Sequence, residues 1–496
     1  MRSLCLQFVG IILFAASGLA AGDALAEETD FKSIFDGKTL DGWKAPNMSY
    51  WSVQNGVITA QSTQDNPVKS NQFLVWELGD VDDFELKLKY RISGTESANS
   101  GIQIRSRVAP EGYAVGYQAD IDRAGRYAGA LYDERGRGML AERGQKTAIG
   151  SDGKMTHTPL GDADALMNII KQDDWNEYHI IARGRQIILK VNGKVTADVQ
   201  DNEEKNLELS GVLALQLHAG PPMTVEFKDI QLKRLKLGER KKIVLVAGPP
   251  SHGYGAHEHN AGCLLLAKLL NENVPEVYAT AYLNGWPKDP TALDNADAIA
   301  IFCDGGEGHV AMRHLEELDA LAKKGVGIGM LHYAVEVPKG KPGDYMLNWT
   351  GGYFETFWSV NPHFKAEFKE LPNHPIAHGV RPFAIDDEWY YHMRFVDGLK
   401  NVTPILTAIP PDGTRQRPDD AHGGNPHVRA RMGMPEHVMW AFERPGGGRG
   451  FGFTGGHWHY NWAHDDFRKV VLNALVWVAG LDVPPSGVPS RTPSLE

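Results

Sequence analysis

Residues 251–262 read SHGYGAHEHNAG, which places His252, His257, Glu258 and His259 within eight positions of a glycine-rich turn. The turn follows an apolar run of strand character, KIVLVAG at 242–248, and precedes an apolar helical run, CLLLAKLL at 263–270. Strand, glycine-rich loop and helix open an α/β unit, and in open parallel sheets the ligand crevice lies outside the carboxyl ends of the strands. Core packing is a poor explanation for four metal-competent side chains in such a loop. They are the candidate metal ligands, with zinc or manganese as the divalent ion. The competing reading is a histidine-rich polar sugar pocket that holds no metal.

Downstream the same grammar continues. Strand-like 298–303 is followed by a helix over about 310–324, then by strand-like 326–331. Alternating strands and helices predict an α/β domain over 239–482, flavodoxin-like, with a parallel sheet. A terminal helix is expected at 465–478, with Asp465 and Asp466 near its positive end. The Pro- and Ser-rich tail, 483–496, is expected to be disordered. His332 follows the strand that ends at Leu331, and His457 and His459 follow Phe453, so three histidine-bearing loops have the chance to meet at one crevice.

Upstream the pattern is different. Short runs with period two, such as ELKLKY at 85–90, alternate with Gly, Asn and Asp turns, and IILKV-NG-KVT at 187–196 is a hairpin signal. This predicts an antiparallel β-sandwich of jelly-roll type over 27–238. Three of its strands carry unusual polar faces: Gln103 with Arg105, Gln118 with Asp120, and Gln216 with His218, the last pair opposite three leucines. A solvated outer face explains most such alternation. Amides, a guanidinium, carboxylates and an imidazole instead suit directional hydrogen bonds to sugar hydroxyls.

The bulk properties narrow the partners. A chain of 496 residues predicts two or three domains. A net charge of −11 argues against nucleic acid, which needs a basic surface. Arg2, an apolar run over 4–19 and the small residues Ala24 and Ala26 read as a signal peptide, 1–26, so the mature protein is expected to be secreted or periplasmic. No later stretch is apolar enough to span a bilayer. Cys263 and Cys303 remain after cleavage, too few for a disulfide framework, and both read as small buried hydrophobes.

Taken in order, FDGKTLDGW at 35–43, NSGI at 99–102, WNE at 175–177, NG at 192–193 and VEFKDI at 225–230 resemble the 3-keto-disaccharide hydrolase family, also described as 3-keto-glucoside lyase/hydratase domains. The resemblance covers 31–235 and implies a concanavalin-like jelly roll. It also implies a chemistry with clear logic. A ketone at C3 of a sugar acidifies the hydrogen on C2, a general base removes it, and the substituent on C1 then departs. His218 or Asp120 is the candidate base. Arg105 and Gln118 are oxyanion or hydroxyl partners, with Gln103 and Gln216 as further substrate contacts.

GIGMLH at 327–332, HPI at 374–376, DEWY at 387–390 and FTGGH at 453–457, together with the histidine-rich loop, resemble a trehalose-utilisation (ThuA-like) domain. Such domains are similar to the class I glutamine amidotransferase fold. The amidotransferase cysteine is absent: Leu331-His332-Tyr333 stands at its elbow, and an imidazole cannot replace a thiolate in acyl transfer, which excludes a glutaminase. The spacing also fails the helical zinc-protease motif. His332, Asp387, Glu388 and His457 are the candidate substrate-binding residues. The expected protein is a carbohydrate-active enzyme that cleaves 3-keto-glycosides by elimination or hydrolysis and takes an oligosaccharide or keto-sugar. The alternative is a non-catalytic carbohydrate-binding protein.

Overall fold

The computed structural model describes residues 30–494, so the expected signal peptide at 1–26 lies outside the described residues. Among the described residues, no helix is long and apolar enough to cross a membrane.

The first half is a two-sheet β-sandwich, ten strands against seven, which closes over Trp76, Leu86, Leu88, Ile102, Ile104, Tyr178, Leu215 and Phe227. Period-two sequence produces it directly: in the strand Phe84–Gly94, buried Phe84, Leu86, Leu88, Tyr90 and Ile92 alternate with half-buried polar residues. The predicted hairpin is present. Val191 faces Lys194 across a two-residue turn in which Asn192 and Gly193 both have positive φ, 47° and 78°.

The alternation fails at one place that matters. In Asn99–Val108 the pairing register shifts between Ile104 and Arg107, and Arg105 has φ 47°. A β-bulge redirects side chains, so Arg105 leaves the face that holds Gln103, and Ser106 takes its place there. Its guanidinium is buried, donating to the carbonyls of Asp82 and Gly184 and to the Asp83 carboxylate. The expectation that Arg105 meets substrate is therefore corrected: it is a structural cation.

The second half is built on seven strands: β1 (Lys241–Ala247), β2 (Val277–Tyr282), β3 (Ala298–Phe302), β4 (Gly327–Leu331), β5 (Val402–Ala408), β6 (Glu436–Glu443) and β7 (Arg449–Phe453). Their spatial order is β2-β1-β3-β4-β7-β6-β5. The first five are parallel, whereas β6 runs antiparallel to β7 and β5 antiparallel to β6. The sheet is thus mixed rather than parallel throughout. The cause is the turn PGGG at 445–448, where Gly447 and Gly448 take positive φ and fold β6 straight back into β7. Helices α1 (His259–Asn273) and α4 (Asp465–Val478) cover one face, and α2 (Leu315–Lys323) and α3 (Lys341–Thr350) cover the other.

A buried ionic cluster joins the halves. Asp82 of the sandwich accepts from Lys242 at the start of β1 and from Asn295, while Arg234 donates to Asp289 and Thr291. Lys242, Asp82, Arg234 and Asp289 are all within 6% of full burial.

The tail departs from the expectation of disorder. Val488 is fully buried in the main core, its backbone N–H donates to Asn473, and Arg468 donates to Ser490. Two buried valines, Val483 and Val488, and these two hydrogen bonds outweigh the Pro/Ser composition that suggested a free segment.

Candidate functional site

The carboxyl ends of β1, β3, β4 and β7 lie side by side, and the residue types that follow them are complementary. After β1 comes His257, after β3 Asp304, after β4 His332 and after β7 His457. A fifth segment, the hairpin of His363–Phe368 with Phe383–Glu388, delivers Glu388 from the side. His257, His332, His457 and Glu388 each present a donor atom, all within 4.8 Å of one another. His257 Nε2 lies 3.0 Å from His457 Nδ1 and 3.1 Å from His332 Nε2, and Glu388 Oε2 lies 3.1 Å from His457 Nδ1 and 3.6 Å from His332 Nε2.

The outer contacts determine which nitrogens are bare. His332 Nδ1 is 2.8 Å from the carbonyl of Thr454, which can only accept, so this nitrogen carries the proton. His257 Nδ1 is 2.8 Å from the Asp304 carboxylate, which also accepts from Ser251. Burial opposes ionisation of Asp304, but the bonds from His257 and Ser251 hold its pKa below the usual value. The two Nε2 atoms therefore face each other with lone pairs at hydrogen-bond distance, an arrangement that repels unless a proton or a cation lies between them. Burial, reinforced by His257, pushes His332 well below the ordinary imidazole pKa, which disfavours the proton. Three imidazoles and a carboxylate fit zinc or a related transition ion, and the Asp304 and Thr454 contacts are the orienting partners that ligating histidines use.

Backbone strain collects at the same place. His252, His257 and His332 all have positive φ, 66°, 50° and 54°. Such conformations cost free energy in non-glycine residues and cluster at functional sites.

In the sandwich, the outer face of the seven-stranded sheet carries a hydrogen-bonded chain. Ser106 Oγ donates to Gln103, Gln103 Nε2 to Gln118, and Gln118 Nε2 to Asp120 Oδ1. Burial raises the Asp120 carboxyl to about 8. Both amide atoms of buried Gln216 lack a partner among the described residues. A groove of about 680 Å³, lined in part by Val75 and Val212, opens on this same face. His218 lies beyond the end of its strand, half-buried, with Nδ1 2.6 Å from the carbonyl of Ala219. It is not part of the Gln103–Gln118–Asp120 chain.

Residues 30–233 match the family profile described as 3-keto-alpha-glucoside-1,2-lyase-like domain, and residues 244–478 match the trehalose-utilisation (ThuA) family. The two matches fall one on each half of the chain. No curated protein matches it significantly. Among solved structures it is similar to a candidate glycosyl hydrolase from Parabacteroides distasonis, at 17% identity over 44% of this chain and 99% of that one, TM-score 0.29. It is also similar to a carbohydrate-binding module from Bacillus subtilis, at 14% identity over 39% and 95%, TM-score 0.27. A ThuA-like protein from Parabacteroides merdae matches at 14% identity over 51% and 98%, TM-score 0.35.

Within the ThuA domain the residues named from sequence separate into groups. Of the four candidate ligands, His257 alone is in the four-donor cluster. His252 is exposed and lies over the His257 ring, centroids 3.8 Å apart, and forms a second, overlapping group with His257 and Asp304. His259 opens α1 fully buried, with Nδ1 bonded to the carbonyl of Pro249. Glu258 is turned back on its own loop and accepts from the Gly255 N–H. Glu258 and His259 are therefore corrected to structural roles, because the loop reverses at His257 and the chain then enters the helix.

The residues placed with the substrate also divide. His332, Glu388 and His457 join His257. Asp387, on the opposite face of its strand, is buried and accepts from the backbone N–H groups of Gly456, His457 and Glu388 and from Asn461. It is a clamp that fixes the backbone of His457, not a substrate contact. Asp304 was missed, though its position directly after a buried strand was the available signal. Both thiols are buried, and burial raises Cys303 to about 12 and Cys263 further.

Proposed function

We propose that the protein cleaves 3-keto-glycosides, with the ThuA-domain centre of His257, His332, His457 and Glu388 as the place where the keto-sugar reacts. The convergence of these four donors carries the reading. The three imidazoles and the carboxylate would hold one divalent transition ion, zinc or manganese. Such an ion supplies electrophilic stabilisation to the oxygen of a ketone and of the enolate derived from it.

The chain's own residues then have defined tasks. Asp304 and the Thr454 carbonyl keep the protons of His257 and His332 on the outer nitrogens and their lone pairs inward. Tyr390 and Asn361 donate to the two oxygens of Glu388 and fix its orientation. Asp387 holds the turn that carries His457. At the edge of the centre, His363 and Trp458 both lie against the His457 ring, centroids 4.9 and 4.6 Å away, and offer an aromatic wall to a sugar ring. On the sandwich, Asp120, Gln103, Gln118 and Gln216 form a second polar cluster, itself buried, on the sheet face where the groove opens.

The test uses full-length protein purified without a histidine tag. The expected result is a stoichiometric transition metal by elemental analysis and release of glucose from 3-ketotrehalose, both lost in His332→Ala. Ligand-induced thermal stabilisation without sugar release supports a binding protein instead and overturns the enzyme reading.

A further inference from the structure

We propose that His422, held by the buried carboxylate of Glu336, is the residue that moves the proton on the carbon beside the ketone of a keto-sugar at the four-donor centre. This rests on the function proposed above for that centre and adds the proton carrier it lacks.

The pair is assembled from two distant segments. Glu336 lies four residues past His332, immediately after the tight turn of His332–Val335, and is 2% exposed. His422 belongs to an irregular loop whose backbone is tied down, His422 N–H to Asp420, Asn361 N–H to the His422 carbonyl and Gly424 N–H to Pro418. His422 Nε2 lies 3.0 and 2.9 Å from the two Glu336 oxygens. A carboxylate accepts only, so Nε2 keeps its proton and Nδ1 carries the lone pair in the neutral ring. That Nδ1 has no partner among the described residues, and the side chain is 32% exposed. Here the carboxylate is enclosed and the far edge of the imidazole is open, which is the base-and-orienter arrangement of proton-transfer catalysis.

Position supports the same role. The Tyr333 ring lies edge-on to His422 at 6.3 Å and edge-on to His257 at 5.9 Å, so one aromatic side chain neighbours both the pair and the centre. Phe354 stacks on His422 at 5.4 Å and fixes the ring plane. The hydrogen bond to Glu336 raises the His422 pKa against the effect of burial, and Asp420 and Glu388 are further negative groups whose fields reach it.

In the step, the Nδ1 lone pair takes the hydrogen on C2 as a proton. The C2–H electron pair becomes the C2=C3 bond of an enolate with its charge on O3. Collapse re-forms C3=O, moves the pair into C1=C2 and expels the C1–O pair onto the leaving oxygen, which recovers the proton from His422. The products are an unsaturated keto-sugar and a free alcohol, with no net proton consumed.

The experiment follows exchange of the C2 hydrogen of 3-ketotrehalose in D₂O by NMR, beside glucose release, for wild type, His422→Ala, His422→Ala with added imidazole, and Glu336→Gln. His422→Ala is expected to lose ~10²–10⁴-fold in both signals, the usual contribution of a general base. Metal content and melting temperature should be retained, imidazole should restore a part of the loss, and Glu336→Gln should fall between. Undiminished exchange in His422→Ala, or a loss that imidazole leaves unrepaired, overturns the assignment while leaving the function of the centre intact. Wild-type protein that neither exchanges nor cleaves the probe overturns both.

Discussion

His257 Nε2 and His332 Nε2 face each other at 3.1 Å, and in the neutral rings neither has a proton to share, because the Nδ1 of each ring is committed to an oxygen acceptor. On the proposed metal reading, an ion between them would convert a repulsive contact into two bonds, which would couple folding to metal. With free metal about 100-fold above its Kd, the linkage is worth ~2.7 kcal/mol, which is roughly 5–10 °C in a domain of this size. Chelator-treated protein is expected to melt lower by that amount in scanning calorimetry, and His332→Ala to lose the difference. Superimposable melting curves would count against the ion.

Asp304 does not enter the donor cluster; it acts through His257. Asp304→Asn keeps the size but removes the charge that holds the His257 proton outward. Metal affinity is expected to fall ~10–100-fold, the usual cost of losing such a partner. Competition with a fluorescent zinc chelator measures it, and unchanged affinity would show that Asp304 serves only the loop.

Asp120 gives the sandwich a pH signature. Its ordinary value is 3.8 and its folded value about 8, raised by burial. Between those values the unfolded chain ionises while the folded carboxyl stays neutral, so the contribution of this group to stability is present below pH 3.8 and lost as pH rises toward 8, at up to ~1.4 kcal/mol per unit. Asp120→Asn keeps the acceptor for Gln118 and abolishes the effect. The variant is expected to melt as wild type does near pH 4 and several degrees higher near pH 8. A constant offset at both values would refute the buried-acid account.

The two halves are expected to stand or fall on Asp82. Burial opposes its charge, but Lys242 and Arg234 hold its pKa below 3.8, so the stability it contributes is present above that value and lost as pH falls beneath it. Asp82→Ala leaves Lys242 buried without a counter-charge, a change that costs ~3–5 kcal/mol. Denaturant unfolding at pH 7 should show that loss, whereas a change under 1 kcal/mol would mean that water replaces the carboxylate.

Much of the architecture was legible because it rests on local periodicity. Period two in 85–90 and 187–191 becomes the sandwich, and the apolar runs 242–248 and 298–303 become central strands of the second sheet. The bulge at Arg105 was not legible, since one inserted residue in a strand alters no local propensity yet exchanges the faces. The reversal of β6 was written in PGGG at 445–448, a turn signal that alternation of strands and helices overshadowed.

The candidate site divides in the same way. Residue chemistry in the chain was enough to show that histidines and acids follow the strands of an α/β sheet, because strand ends are marked by the switch from apolar to polar residues. Which of them meet was decided only by the tertiary structure. His257 joins residues 75, 131 and 200 positions away, while its neighbours Glu258 and His259 turn elsewhere. The direction of a side chain at a strand-to-helix reversal depends on one or two backbone angles and on the packing of distant loops, and neither is encoded in the spacing of residues along the chain.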